Sequence, residues 1–271
     1  MANICMAESA LVIISDLFKN VEFALNHKFK GIELWCDFPN PLPRILNSEI
    51  KKKVKDVLTT NNLLVSLHAT MADINIASLN KGIRDESVKQ LTECIDLAAE
   101  LDSSRIVVVH CGRFTYTLAP ARELTGQHSM ESIKYCLKYA ENKGVTLALE
   151  NIGLTERDFP ENNKQLVEIV ETLNSPYLKI TWDIGHSNVT EGVANSLKIL
   201  GNYIAHIHIS DNSGKHDEHL GIGSASIDYT PALLFLKNFK GLIVLEILDH
   251  KDYAGALLKS RDNLEKMLEN I

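Results

Sequence analysis

Apolar runs of β type alternate with helical patterns from one end of the chain to the other, and seven of those runs finish in an acid or a histidine. They are GIELWC with Glu33, LLVSLHA with His68, RIVVVHC with His110, TLALENI with Glu150, LKITWDIGH with Asp183 and His186, IAHIHIS with His208, and LIVLEIL with Glu246. A buried strand does not end in an ionisable group unless a partner offsets the cost of removing that group from water. A partner shared by the ends of many separate strands is most simply a metal ion, held where those ends converge.

Eight β/α units follow from the alternation. ICMAES and a helix from Leu17 to His27 form the first. After the Glu33 run come a proline-rich loop (Pro39, Pro41, Pro43) and a helix over Ser48 to Asn61. The spacing of Val88, Leu91, Ile95 and Ala98 by threes and fours predicts a helix over Arg84 to Leu101 with one buried face. Further helices are expected over Met130 to Asn142, through Leu166, Val170 and Leu173, and over Val193 to Leu200 with Gly201 as C-cap. Thr230-Pro231 reads as an N-cap and first turn, and the last helix carries Leu257, Leu264 and Leu268. The strands are almost wholly apolar, as in parallel sheets covered by helices. An open sheet would not gather eight strand ends around one pocket. The expected fold is therefore an α/β (β/α)8 TIM barrel, a single domain over residues 1–271, a length that suits this architecture. Active sites of such barrels lie at the C-terminal ends of the strands, where the acids and histidines fall.

Composition narrows the partners. Lys and Arg number 28 against 35 Asp and Glu, a net charge of −7, which disfavours nonspecific binding to nucleic acid. No apolar run approaches the ~18 residues of a membrane span. The opening MANICMAESALVIIS lacks the basic n-region of a signal peptide. The five cysteines (Cys5, Cys36, Cys94, Cys111, Cys136) form no CxxC pair. They read as reduced, mostly buried thiols of a cytoplasmic protein, although Cys36 and Cys111 stand close to candidate site residues.

Nine residues are candidate ligands: His68, His110, Glu150, Asp183, His186, His208, Asp217, His219 and Glu246. Asp217 and His219 form a D-x-H whose two side chains point to one side of an extended segment. Any one of the nine has a structural explanation, as a hydrogen-bonded histidine or half of a buried ion pair. The set does not. His, Asp and Glu suit Zn²⁺, Mn²⁺ or Fe²⁺.

The segments HATMADINIAS, IRDESVKQLTECIDLAAEL, VVVHCGR, LALENIG, WDIGHSN, HIHISDNSGKHDEHLGIGSASID and VLEIL together resemble the xylose isomerase-like TIM barrels. That superfamily holds sugar isomerases and epimerases and also the endonuclease IV group. The resemblance implies two overlapping ligand sets. In the isomerases and epimerases one ion is held at positions matching Glu150, Asp183, His208 and Glu246. In the nucleases three zincs are held by nine ligands. Here those ligands would be His68, His110 and Glu150 around one ion, the four just named around a second, and His186, Asp217 and His219 around a third. One to three divalent ions, Zn or Mn, are thus expected.

Two chemistries follow. In the first, a sugar or sugar phosphate is isomerised or epimerised through an enediolate, with Glu150 and Glu246 exchanging the proton and with His186, Glu33, Trp35 and Lys215 as substrate contacts. The substrate-binding arginine that ketose 3-epimerases carry after strand seven has no counterpart in SDNSGKHDEH. In the second, a metal cluster hydrolyses a phosphoester. The acidic balance and the few basic residues in the loops (Arg44, Arg113, Lys215) argue against a duplex-DNA substrate. A barrel that only binds sugar is a third reading. The isomerase or epimerase reading is preferred, with a small-molecule sugar as partner and a homo-oligomer as an open option. Asn151 is expected to orient Glu150, His206 to lie one layer below His208, and His216 to face outward. GIGSAS offers either a close backbone approach to substrate or a simple turn.

Overall fold

The computed structural model describes residues 2–8, 17–37, 43–44, 46–152, 154–248 and 252–271. Pro39 and Pro41, and residues 9–16 of the opening segment, lie outside these described residues. The strands are β1 (Asn3–Ala7), β2 (Gly31–Trp35), β3 (Leu64–His68), β4 (Ile106–Val109), β5 (Thr146–Glu150), β6 (Leu178–Asp183), β7 (Ile204–Ile209) and β8 (Leu242–Leu245). They pair in parallel in chain order, and β8 closes on β1. The helices are α1 (Leu17–Asn26), α2 (Ser48–Thr60), α3 (Lys81–Leu101), α4 (Ala119–Lys143), α5 (Asn163–Leu173), α6 (Ile184–Val189), α7 (Val193–Leu200), α8 (Thr230–Asn238) and α9 (Tyr253–Glu269). The closed (β/α)8 barrel expected from the alternation is the fold.

Strand side chains alternate between the lumen and the helical shell. On β6, Trp182 turns outward and meets Phe235 of α8 edge to face, with ring centroids 5.9 Å apart. Cys5, Ala7, Leu242 and Val244 form a small buried cluster of their own, apart from the main core between sheet and helices. The register sets side chains of neighbouring strands level: Glu33 with Ser66, Trp35 with His68, and Asp183 with His208. Asparagine caps start several helices. Asn47 accepts from Ile50 N, Asn80 from Gly82 N, and Asn162 from Gln165 N.

Helix α4 begins at Ala119, eleven positions before the expected Met130. Its first half buries Thr125 and Ser129, whose hydroxyls donate to Ala121 O and Cys111 O, so the face that packs is not apolar and leaves no hydrophobic period. Helix α6 has no counterpart among the expected elements. Its six residues are too short to show a period, and it starts because the Asp183 carboxylate accepts from His186 N at 2.6 Å. Thr230 is not the N-cap of α8 but its first residue; Tyr229 precedes it, and Asp228 Oδ1 takes the Thr230 N–H at 3.0 Å. Gly201 does cap α7, in a right-handed conformation with φ −47°, so it needs no glycine-only backbone.

Gly31 opens β2 where a Cβ would stand 2.5 Å from Leu64 O and 2.8 Å from Cys5 Sγ. A backbone oxygen cannot move aside as a side chain can. Gly31→Ala should cost about 1–3 kcal/mol by overpacking, read as a lower denaturant midpoint at unchanged m-value.

Candidate metal centre

Three strands and the residue after a fourth deliver the innermost groups. Glu150 ends β5, Asp183 ends β6 and caps α6, and His208 lies inside β7, one residue short of its end. Glu246 is the first residue beyond β8 and is held by a hydrogen bond from its N–H to Ile209 O. His208 Nδ1 stands between the two glutamates, 3.2 Å from Glu150 Oε1 and 3.1 Å from Glu246 Oε2, with Asp183 Oδ2 at 3.9 Å. On the β3–β4 side, His110 Nε2 is 2.9 Å and His68 Nε2 3.4 Å from Glu150 Oε2. On the opposite side, Asp217 Oδ2 lies 3.3 Å from His186 Nε2 and 2.8 Å from His219 Nε2. The nine candidate ligands thus assemble into three groups, each able to bring its donor atoms within 4.8 Å of one another. The groups are His68, His110 and Glu150; Glu150, Asp183, His208 and Glu246; and His186, Asp217 and His219.

The donor set fits divalent cations. Asp183 Oδ2, Glu246 Oε2 and Asp217 Oδ1 are buried oxygens without a hydrogen-bond partner, which is costly unless something else satisfies them. Neutral imidazole nitrogens and carboxylate oxygens are the donors that Zn²⁺ or Mn²⁺ takes.

The electrostatics show how strongly these groups depend on one another. Burial pushes Glu150 up, but the pull of His208 and His110 outweighs it and holds the carboxyl well below its usual range. Burial also dominates at Asp183, raised to about 7, where His186 pulls down while Glu246 and Glu150 push up. Desolvation works against charge on His68 and His219, yet contacts with Glu150 and with Glu246 and Asp217 respectively raise both to about 9. The centre therefore balances its carboxylates with protons on histidines.

The loop between β7 and α8 carries the Asp217–His219 pair and is tied down by Asp211, a residue that sequence reading passed over. Its carboxylate accepts from the backbone N–H of Gly223 at 3.0 Å, Ala225 at 2.9 Å and Ile227 at 3.1 Å. GIGSAS is thus a turn wrapped on Asp211, with Gly223 at φ +85°, rather than a cradle for substrate. An acid surrounded by small residues was the available signal.

Several expected substrate contacts are placed differently. Glu33 lies in the middle of β2, wholly buried and outside the cavity walls, because Trp35 occupies the mouth-level position on the same side of the strand. Lys215 is exposed and does not line the cavity. Asn151 serves Asp183 and His186 rather than Glu150: Asn151 Oδ1 accepts from Asp183 N at 2.7 Å, and Asn151 O faces His186 Nδ1 at 2.8 Å. His206 is buried one layer below His208, and His216 is exposed, both as expected. Cys36 and Cys111 are buried away from the cavity, and Arg44 pairs with Glu86 and Glu93 at 2.6 and 2.5 Å.

Above the three groups opens a cavity of about 490 Å³. Its floor holds His68, His110, Glu150, His186, Asp217, His219 and Glu246; Trp35, Met71, Ile152, Leu154 and Leu248 supply apolar walls that no polar signature announced. Arg113 stands at the rim, 3.6 Å from Asp158.

The sequence profile of the xylose isomerase-like TIM barrels matches residues 21–270. The chain belongs to this family. A solved structure described as a D-tagatose 3-epimerase-like protein superposes with a TM-score of 0.88 at 28% identity, covering 100% of this chain and 98% of that one. Fructoselysine 3-epimerase of Shigella flexneri is 25% identical over 70% of each chain. A probable endonuclease 4 of Mesomycoplasma hyopneumoniae is 29% identical, over 46% of this xylose isomerase-like chain and 48% of its own. Among the described residues no helix is long and apolar enough to cross a membrane.

Cation uptake must displace protons, because a ligating imidazole gives its lone pair to the ion. His68 and His219 keep protons up to about pH 9 in the ion-free centre, so protons compete with the ion below that pH. Zn²⁺ affinity should rise from pH 6 towards pH 9 and level off above it. Calorimetry at pH 7 in buffers of different ionisation enthalpy should show protons released; uptake with no release would show that these histidines are not ligands.

Proposed function

We propose that the chain is a metal-dependent sugar epimerase or isomerase that moves a proton at a carbon next to a carbonyl, with Glu150 and Glu246 as the acid–base pair. One observation carries this reading: the two carboxylates come from well-separated strands of the barrel, flank His208 Nδ1 at 3.2 and 3.1 Å, and both line the cavity. A substrate carbon lying over that nitrogen would have a carboxylate on either side.

Glu150, Asp183, His208 and Glu246 would hold the ion. Bound there, a divalent cation supplies Lewis acidity to the carbonyl and hydroxyl oxygens of a sugar. The chain's own groups do the rest. Glu246 keeps one buried oxygen without a hydrogen-bond partner. Burial pushes its pKa up, but His208 and His219 hold it below the usual carboxylate value, so it is ionised and able to accept a proton. Glu150 is held at Oε2 by His110 and at Oε1 by His208 Nδ1, which fixes the carboxylate against His208. Trp35, set against His68 with ring centroids 5.1 Å apart, offers a flat apolar wall to a sugar ring. The names of the epimerases similar to this chain support the same substrate class.

The group His186, Asp217 and His219 favours a second reading, hydrolysis of a phosphoester by a multi-ion centre, because proton transfer at carbon does not require it. The two readings separate in one experiment. The zinc- or manganese-loaded chain is incubated in D₂O with a panel of ketoses and ketose phosphates and followed by NMR. Deuterium should enter at the carbon beside the carbonyl, and Glu246→Gln should slow its entry by about 10²–10⁴-fold with an unchanged circular dichroism spectrum. Release of inorganic phosphate without carbon-bound deuterium would replace this reading with the second.

A further inference from the structure

Glu33 has no place in the chemistry above, yet it is a wholly buried carboxylate in the barrel lumen. Its Oε2 accepts from Ser66 Oγ at 2.9 Å and lies 2.7 Å from His206 Nε2. Its Oε1 lies 2.9 Å from His208 Nε2. Neither Glu33 Oε1 nor His208 Nε2 makes a hydrogen bond, and their 2.9 Å approach is an ion-pair contact. His208 therefore stands between two layers of carboxylate. Nε2 faces Glu33, while Nδ1 faces Glu150 and Glu246.

A neutral imidazole carries one N–H and one lone pair, and the partner of one nitrogen decides which form is present. A carboxylate accepts and never donates. With Glu33 against Nε2 and a cation among Glu150, Asp183 and Glu246, the proton belongs on Nε2 and the lone pair on Nδ1. The reverse tautomer would set a lone pair against a buried anion and aim an N–H at the place where a cation would sit. Ser66 and His206 brace Glu33 from β3 and β7, which leaves the carboxylate little freedom to turn away.

We infer that Glu33 is a positioning residue: braced by Ser66 and His206, it fixes His208 as the Nε2–H tautomer and so presents Nδ1 to the ion held with Glu150, Asp183 and Glu246. The inference rests on the metal part of the proposed function and not on which reaction the centre runs. Partners of this kind behind a ligating histidine are typically worth about 10–100-fold in metal affinity.

The test uses the full chain and Zn²⁺ as the probe. Affinity is measured by competition with a chromogenic chelator, and ring tautomers by long-range ¹H–¹⁵N correlation of the histidines. In the zinc-loaded wild type, His208 should carry its one proton on Nε2, while without zinc both nitrogens, each facing a carboxylate, should be protonated. Glu33→Gln offers an amide that can donate as well as accept, so His208 should become a tautomer mixture and the tightest zinc should weaken by about 10–100-fold. Ser66→Ala should produce a smaller change in the same direction. Equal zinc affinity in wild type and Glu33→Gln, or a zinc-loaded wild-type His208 protonated on Nδ1, would overturn the inference. Should Glu33→Gln fail to fold, the wild-type tautomer decides alone. The epimerase reading fails on a different observable, the absence of carbon-bound deuterium in D₂O.

Discussion

Everything at the mouth of this barrel depends on burying carboxylates next to imidazoles. Glu33, Glu150, Asp183 and Glu246 are almost wholly shielded from water, as are His68, His206 and His208. An ionised carboxylate in a protein interior costs several kcal/mol before it is paired, and a domain has only about 5–15 kcal/mol of net stability. Four such groups would unfold the chain unless positive charge stood among them. Histidine protons supply it when no cation is present, and a divalent ion supplies it more compactly. The same requirement makes the centre cooperative, since each pKa depends on its neighbours.

The barrel makes that density of charge possible. Every strand is hydrogen-bonded on both sides, so the groups at the strand ends start from a rigid frame. Depth then separates roles. Glu33 and His206 form a sealed lower layer, His208 links it to Glu150, Asp183 and Glu246, and Trp35 with the apolar walls shapes the space above. The group that includes Asp217 and His219 differs in kind. It stands on a loop, and Asp211 replaces the sheet as its support by collecting backbone N–H groups.

The sequence made the barrel and the nine converging candidate ligands legible because both depend on strong, local regularities: apolar strands at even spacing, seven of them closed by a chemically conspicuous residue. Depth was harder to read. Glu33 looked like a strand-end residue, although Trp35 two positions later on the same face takes the mouth; the alternation that placed His206 below His208 applies equally to Glu33. Lys215 looked like a substrate contact because it neighbours the D-x-H, but the loop turns it outward. The start of α4 was hidden because its buried face is Thr and Ser bonded to backbone carbonyls. Helix α6 was hidden because one carboxylate, Asp183, both caps it and belongs to the centre. Asn151 was drawn to Glu150 by adjacency in the chain, whereas its amide reaches across to β6.

The shared cation is the central claim, and metal content addresses it most directly. The chain would be purified without chelator, dialysed against zinc or manganese, then against metal-free buffer, and analysed by mass spectrometry for ions per chain. At least one retained divalent ion per wild-type chain is expected, with loss of the tightest ion in Asp183→Asn. A folded wild-type chain that retains none would contradict the claim and leave the buried acids balanced by histidine protons alone.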